Sequence, residues 1–577
     1  MFTSNFYTYK IEILDKEFIT KSGIKYKQTA RITFFNEFNE EVSTKELGYL
    51  LIDDLYKKIQ NAEDIDVSEA FIKEFNINNI LPNNNIELKN FNASESIFYS
   101  DKEINFSNTV FSGYNTNFEN AIFLKGQVIF NNCVFTNGNV NFKNAIFYNG
   151  NISFYKANFG NGNVNFKNTF FGKGEKIFQY VNWGGGDINF SNCFFNDGNL
   201  SFVNGNFGNA DISFKLSSFG TGNIVFKFSI FGDVKLSFER VNFGNGAVDF
   251  SKTEFGVSRI NFNKSIITQG DFDFQEIEIQ GGKFLFKNVD FNQGMLKFNL
   301  ANLNNCSVYF DSSIFKDVDI SFYKANVNYL SFVACQINNY TDLRLNNCNF
   351  LDLGDCFIHN IVDLSLEENP HSIKTINFFG CRIFGSILIS WDTNNVYQQI
   401  VSNTNIDEYK KAWQFNLLKR NFNVIGQYDD EDKAYVEFRK CELRTEFDEL
   451  KSLPLGKKAV KWLIYIFKKL IFEKMGLFAT SPQRVFVSVI ITWFIFGLLF
   501  VIIDYIGLGK TWSSVGNPDK ISVVAQSFYH SAITFFTIGY GDVFPQGLSR
   551  IFSAIEGFIG VFMMSYFTVA FVRKVLR

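Results

Sequence analysis

Histidine and proline are nearly missing from this 577-residue chain, which has 3 of the one and 6 of the other. Three scattered histidines supply no nucleophile–base set and no metal-ligand cluster, so an enzyme is the least favoured class. An excess of charge of one sign is missing too. The net charge is −3, which gives a nucleic-acid partner no electrostatic support. The 8 cysteines include no CxxC pair, which argues against a metal site. A secretory signal is also lacking: MFTSNFYTYKIEILDKEF is polar and has no apolar h-region. Whatever precedes the first membrane segment is therefore expected in the cytosol.

What is abundant is phenylalanine, with 74 residues, and much of it is periodic. Stepping by twelve from Phe106, every position is Phe as far as Phe322, nineteen in succession. A second register, Phe111 to Val327, reads fourteen Phe and otherwise Trp183, Ile267, Ile279, Leu303 and Val327. The unit is five plus seven residues, as in ANFGNGNVNF (157–166). Two places before the first series stand larger apolar residues: Ile152, Val164, Ile188, Leu200, Ile212. Two places before the second stand small ones: Ala121, Cys133, Ala145, Ala157, Ser217. Residues two apart on a strand share a face, so both members of each pair are predicted to point inward. Asn, Asp, Lys and Ser then point outward. Cys133, Cys193, Cys335, Cys348 and Cys381 fill small inward places, as core thiols in a reducing compartment do.

ANFGN, AIFYN and the five-residue spacing of Phe378, Ile383 and Leu388 resemble the pentapeptide-repeat family. That resemblance implies a right-handed square β-helix, here over residues 91–392. The departure is an extra pair of residues, commonly Gly-Asn, in every second repeat. A coil of twenty-four residues with two enlarged corners is favoured, and a coil of twelve is the alternative. Gly and Asn suit such corners because both tolerate positive φ. One dodecad cannot fold alone, so the coils must stack. Residues 1–90 are expected to form an α/β cap, with strands at YTYKIEIL and TARITFF and a helical run at ELGYLLIDDLYKKIQ. Some pentapeptide-repeat proteins mimic a nucleic-acid duplex, which needs a strongly acidic surface. The outward mixture of Lys, Asp and Asn here disfavours that reading.

After residue 392 the pattern changes. Residues 393–450 contain EYKKAWQFNLLKRNFNVIGQYDDEDKAYVEFRKCELR, read as a helical hairpin broken at Ile425–Gly426. Residues 451–480 contain GKKAVKWLIYIFKKLIFEKMG. On a helical wheel Lys457, Lys458, Lys461, Lys468 and Lys469 fall on one arc and Val460, Leu463, Ile464, Phe467, Leu470 and Ile471 on the other. With Trp462 and Tyr465 this is a basic helix for a membrane interface, and it favours anionic lipid. Two spans follow, at 484–506 and 550–574, in a pore domain covering 481–577. Basic residues cluster before the first and after the second (Arg573, Lys574, Arg577). The loop between has Lys510 and Lys520 balanced by Asp504 and Asp519. Positive-inside logic puts both chain ends, and the β-helix, in the cytoplasm, with the spans in the plasma (inner) membrane.

Between the spans, VVAQSFYHSAITFF is too short to cross a bilayer; its helix is expected over 525–536 and runs into TIGYGD. Non-helical backbone at membrane depth survives only beside protein or a water-filled cavity. The setting resembles the potassium-channel family, whose Thr-Val/Ile-Gly-Tyr-Gly filter is matched by Thr537, Ile538, Gly539, Tyr540 and Gly541. The resemblance implies carbonyls of Thr537, Ile538, Gly539 and Tyr540, with the Thr537 hydroxyl, as ligands for a permeant K⁺ and no organic cofactor. It also implies Asp542 at the outer mouth and four chains around one axis, a homotetramer. Tyr540 argues against the acidic replacement of similar nonselective channels. Phe536 replaces the usual Thr, and Tyr529–His530 replace a common Trp pair, so a weakly selective cation channel is one alternative. A membrane-anchored interaction scaffold is another. Gly560 aligns with the family's hinge glycine, with Gly557 one turn away, and the inner-helix gate is expected near Phe567 and Phe571. Glu556 is an intramembrane acid, read either as functional or as bonded to a neighbouring pore helix. His530 is read as a packing residue, with proton sensing the alternative. The first span has no Arg series, so voltage sensing is not expected. Nothing marks a nucleotide or calcium site, and a cytosolic ligand or protein partner of the β-helix is left open.

Overall fold

A computed structural model describes residues 6–80, 86–136, 138–148, 151–366, 372–451, 454–514, 516 and 521–575. It divides into two units, residues 1–403 and 404–577.

In the first unit strand pairing sets the coil length. Ile122 pairs with Ile146, Val140 with Val164 and Phe147 with Phe171, all in parallel. Side chains keep the same step: Asn144 Nδ2 donates to Asn120 Oδ1 at 3.0 Å across 24 residues, and Asn168 does so to Asn144. The coil therefore has twenty-four residues, not twelve. After Phe322 the spacing tightens, with Val327 beside Cys348, and then widens, with Cys348 beside Ile373.

The core is made of phenylalanine columns. Every first-series Phe from Phe106 to Phe322 is fully buried, and the second series is buried throughout. Rings one coil apart stack, as Phe166 and Phe190 do at 4.7 Å and 2°. Neighbouring columns meet edge-on, as Phe178 and Phe190 do at 5.9 Å and 82°. Both geometries suit the ring quadrupole. The small inward positions explain why polar residues enter this core. Cys193 Sγ, Ser217 Oγ and Ser229 Oγ donate to the carbonyls of Phe166, Phe190 and Phe202 at 2.9, 2.7 and 2.7 Å. Each buried donor is thereby satisfied by the coil before it. All eight cysteines are free and buried. Burial pushes the Cys133 thiol up to about 12, so it stays protonated.

The recurrent left-handed residue is not at the Gly-Asn pair. The Phe118 carbonyl accepts from the Ala121 N–H at 3.1 Å while Asn120 has φ 60°, which is a type II turn. The same conformation recurs at every twelfth place from Asn108 to Lys324, including Tyr180, Leu216, Phe228 and Arg240. Bulky residues hold it because the ladder runs through the turn: the N–H of Tyr180 reaches the Val203 carbonyl at 3.0 Å. At the enlarged corners Gly198 and Gly270 are left-handed (φ 97° and 118°), but Gly222 and Gly246 are not among the positive-φ glycines. There glycine answers close approach instead. A Cβ on Gly246 would lie 1.9 Å from the Gly222 carbonyl oxygen of the preceding coil.

Ahead of the coils, Thr8–Leu14, Thr29–Phe35 and Glu41–Leu50 form an antiparallel sheet, and Glu41–Leu50 continues in parallel onto Ala70–Lys73. Ala30, Ile32 and Phe34 of this sheet pack on Phe71, Ile97, Ile122 and Ile146, so the sheet covers the flank of the first coils. The Tyr148 hydroxyl donates to the Phe6 carbonyl at 2.6 Å. The helical run expected over 46–60 is helical only in α1, Ile52–Gln60. Pairing on both sides draws Glu46–Leu50 into the sheet, where tertiary contacts outweigh helix preference. At the other end α2, Val396–Val401, buries Val396 and Ile400. Gln399 Nε2 donates from α2 to the Ile373 carbonyl at 3.0 Å.

The second unit is helical. α3 (Glu408–Val424) is capped by Asp407, whose Oδ1 accepts the Lys410 N–H at 2.8 Å. It turns at Gly426 (φ 77°) into α4 (Tyr428–Lys451), the hairpin read from the sequence. The helix expected over 456–476 has two parts, α5 (Leu455–Phe467) and a π-helical stretch, Lys468–Met475. α6 (Pro482–Ile506) is capped by Ser481 and ends at Gly507 in the left-handed region. α7 is Val523–Phe535 and α8 is Ser549–Val575. With 25 and 27 residues, α6 and α8 are long and apolar enough to cross a membrane. A hairpin of Gly509–Ser513 with Val543–Gly547 joins the ends of the loops that flank α7.

Candidate pore and selectivity filter

α7 delivers the loop at 536–542. Its buried Ile533 and Phe535 anchor it, and its last carbonyls are met by the loop itself. The N–H groups of Ile538 and Gly539 reach the Ile533 carbonyl at 2.9 and 3.2 Å, and that of Thr537 reaches Thr534 at 3.1 Å. Positive φ then falls on alternate residues: Thr537 at 56°, Gly539 at 63° and Gly541 at 77°. Alternating handedness is the backbone pattern that turns successive peptide groups to one side. A Cβ on Gly539 or Gly541 would meet nothing within 4 Å, so glycine serves conformation here, not space. Phe536 to Gly541 are exposed in the single chain.

The outer end is tied from three sides. Asp542 Oδ2 accepts from the Tyr529 hydroxyl at 2.8 Å, and Oδ1 accepts the Val543 N–H at 3.0 Å. The Asp542 carbonyl accepts the Ser514 N–H at 2.7 Å. Tyr529, one of the two residues standing in place of a Trp pair, thus supplies a donor to Asp542. Gln526 Nε2 donates to the Thr511 carbonyl at 2.7 Å and fixes the start of α7 to the hairpin.

Behind the loop, α7 meets α8 through buried polar groups. His530 Nε2 lies 2.8 Å from Ser553 Oγ, and its ring stands edge-on to Phe500 at 5.1 Å. Glu556 is fully buried, and its Oε1 bonds to Ser531 Oγ on α7 of the same chain. Gly560 is where α8 crosses the end of α7: a Cβ there would lie 2.0 Å from the Phe535 carbonyl oxygen. At Gly557 the nearest atom is the Thr534 methyl at 3.9 Å. Phe567 lies 6.0 Å from both Phe486 of α6 and Phe571, and Phe571 is exposed.

On α5, Val460, Trp462, Leu463, Ile464 and Phe467 are exposed, and Leu470 continues that face into the π-helical stretch. Lys461 and Lys469 are exposed and Lys458 is half-buried. Lys468 Nζ instead pairs with Glu446 of α4 at 2.8 Å. The Lys457 side chain lies outside the described residues, as do Asp519, Lys520 and Arg577. Sequence reasoning missed the elbow that follows. Leu477, Phe478 and Ala479 all have left-handed φ, at 46°, 56° and 63°. Each costs roughly 1–2 kcal/mol, and only surrounding contacts keep such a run in place. The Phe478 N–H reaches the Phe472 carbonyl at 2.6 Å, and the Phe478 side chain packs on Val436 and Leu443 of α4.

Two membrane-length helices, a short helix between them and a TIGYG loop of alternating handedness define a two-span domain of potassium-channel type, joined to an N-terminal β-solenoid. Residues 483–577 match the family model described as ion channel, so this segment is an ion-channel domain and the chain is a membrane protein. The chain is similar to protein LctB of Bacillus caldotenax, with 30% identity over 82 residues, 13% of this chain and 61% of that protein. The match thus spans less than two thirds of that relative's length. No solved structure matches the chain significantly.

Proposed function

We propose that this chain is the subunit of a homotetrameric, potassium-selective channel in the plasma (inner) membrane, with both ends and the β-solenoid in the cytoplasm. The reading is carried by the TIGYG loop, with positive φ at Thr537, Gly539 and Gly541, set at the end of a helix too short to span. Four such loops around one axis form rings of oxygens from Thr537, Ile538, Gly539 and Tyr540 that replace the hydration shell of K⁺. Conduction is passive and needs no organic cofactor. The exposure of Phe536 to Gly541 in one chain supports assembly, since a ring buries what a single loop leaves open. Asp542, steadied by Tyr529, concentrates cations at the outer mouth. Gly560 or Gly557 serves as the hinge, and Phe567 and Phe571 close the inner end. α5 lies in the membrane interface, with Lys458, Lys461 and Lys469 toward anionic headgroups. The solenoid modulates the pore through this helix. The buried Glu556 holds α8 to the pore helix through Ser531.

The test is K⁺ flux into liposomes carrying the purified full-length protein, with Na⁺ in a parallel set. Barium-sensitive flux of K⁺ but not Na⁺ is the expected result, and scrambling TIGYG abolishes it. Equal flux of both ions would replace selectivity by weak cation discrimination. Deleting residues 1–392 changes the flux if the solenoid modulates the pore; unchanged flux in every condition rejects that part.

A further inference from the structure

Within the second unit, the connector hairpin reaches α8 directly. Arg573 Nη2 lies 2.7 Å from Asp432 Oδ1 of α4, and its guanidinium sits 4.4 Å above the Tyr435 ring. Both partners are mostly removed from water, with side-chain exposures of 20% and 10%. Lys574 reaches Asp429 at 2.6 Å and Asp432 at 3.6 Å. Two helical turns earlier on α8, the Tyr566 hydroxyl accepts the Ala479 N–H of the strained elbow at 2.9 Å. Its ring stands edge-on to Phe472 at 6.1 Å and fills the place a Cβ on Gly476 would take, 2.4 Å away. Residues seven apart share a helix face, so Tyr566 and Arg573 present one line of contacts to α4 and the elbow. Phe567 and Phe571 lie in the same stretch.

An exposed ion pair alone would count for little. Here the pair is desolvated, the guanidinium is stacked, and a second bond two turns away comes from a backbone that contacts alone hold in the left-handed region. The elbow and α4 are also packed on each other through Phe478, Val436 and Leu443. A movement of α4 therefore reaches α8 without passing through α6.

We infer that Asp432–Arg573, Asp429–Lys574 and the elbow–Tyr566 bond form a clasp that restrains the cytoplasmic half of α8 and so sets the balance between closed and open pore. The inference rests on the channel reading above. It names α4, and not only the interfacial helix, as the element that pulls on the gate. Releasing the clasp frees the end of α8 and favours opening.

The experiment uses the full chain in liposomes and compares K⁺ flux for Arg573→Asp, Asp432→Arg and the charge-swapped double variant. Each single change is expected to raise flux at least about fivefold, the size of an ordinary coupling between sites, and the swap to return it close to the wild-type rate. Tyr566→Phe is expected to raise flux by a smaller factor, about two- to threefold. Singles that leave the flux unchanged, or a swap that fails to restore it, would overturn the clasp. A second measurement is independent of conduction: spin labels at Tyr428→Cys and Val572→Cys report the α4–α8 distance in the same membranes. A narrow distribution that broadens in Arg573→Asp supports the clasp, and a distribution the substitution leaves unchanged rejects it. Absence of K⁺ flux in every sample, including one lacking residues 1–392, would fail the channel reading while the labels still judged the clasp.

Discussion

In the solenoid a buried polar atom finds the same kind of partner coil after coil: Ser217, Ser229 and Ser265 each donate to a phenylalanine carbonyl of the coil before. In the helical unit the buried polar pairs do not repeat at a fixed spacing. Ser531 meets Glu556, His530 meets Ser553, and Tyr566 meets the Ala479 N–H. Repetition spreads a role over many residues, so one change in the solenoid is expected to be felt as lost stability nearby. A role held by a single residue shows up in function when that residue changes.

Gly539→Ala gives the largest expected difference. Its φ of 63° suits glycine, and an alanine there costs roughly 1–2 kcal/mol in every loop. Four loops share one ring in the proposed tetramer, so K⁺ flux should fall by about a hundredfold or more. The thermal unfolding of the β-rich signal should not move. An unfolding shift as large as the flux loss would break the contrast between the units. Phe190→Ala is the converse test. It removes a ring stacked between Phe166 and Phe214 at 4.7 and 4.9 Å and should cost ~3–5 kcal/mol. In a stacked array that loss stays near its source. Amide exchange should accelerate in the coils around Phe190 while α7 remains protected; faster exchange along the whole chain would show that the solenoid unfolds as one block.

What was legible in the sequence follows the same division. The inward columns were readable because the repeat recurs nineteen times from Phe106 to Phe322, and any single exception is outvoted; the coil length was not settled, because a twelve-residue period fits a coil of twelve or of twenty-four, and strand pairing decides it. The left-handed turn position was misplaced because its occupants include Lys156, Tyr180 and Phe228, which do not advertise positive φ. The recurrence of Asn at 108, 120, 132 and 144 was the available signal. In the helical unit the positive φ at 539 and 541 was signalled by glycine, which accepts it without a Cβ penalty. The elbow at Leu477–Ala479 was not, since three ordinary residues take an unfavourable conformation that distant groups help to hold: the Phe472 carbonyl accepts the Phe478 N–H and the Tyr566 hydroxyl accepts the Ala479 N–H. The Asp432–Arg573 pair joins residues 141 apart, and one sequence gives no means of matching them.

Tyr529→Phe sharpens the comparison on the pore side. It deletes the 2.8 Å bond to Asp542 Oδ2 while keeping the ring. Water reaches both partners, so the bond steadies the carboxylate only modestly. If Asp542 lines the proposed outer mouth, the ratio of K⁺ to Na⁺ flux should fall by about two- to threefold, with total K⁺ flux less affected. An unchanged ratio would mean that Ser514 and Val543 hold Asp542 without help.

The last contrast sits where the solenoid breaks its own rule. Lys176 occupies the inward column between Ile152 and Leu200 and is 2% exposed. Its Nζ donates to the Asp197 carbonyl at 2.6 Å and the Asn196 carbonyl at 3.3 Å. Burial brings its pKa down to about 8 from the ordinary 10.5. The sign follows from proton counts: between those values the unfolded chain binds the proton and the folded one has released it, so stability rises with pH. Below pH 8 both states are charged and the full burial cost is present. Raising the pH from 7 to 10 should therefore slow local opening near residues 176–199, by at most about 3 kcal/mol in exchange free energy after correction for intrinsic rates. Lys176→Met should remove the pH dependence and raise protection at pH 7 by ~1–2 kcal/mol, because the apolar column is then unbroken. If Met lowers protection instead, the two carbonyl bonds outweigh the desolvation of the ammonium. The solenoid would then depend at this one place on a contact that does not repeat, as the pore unit does throughout.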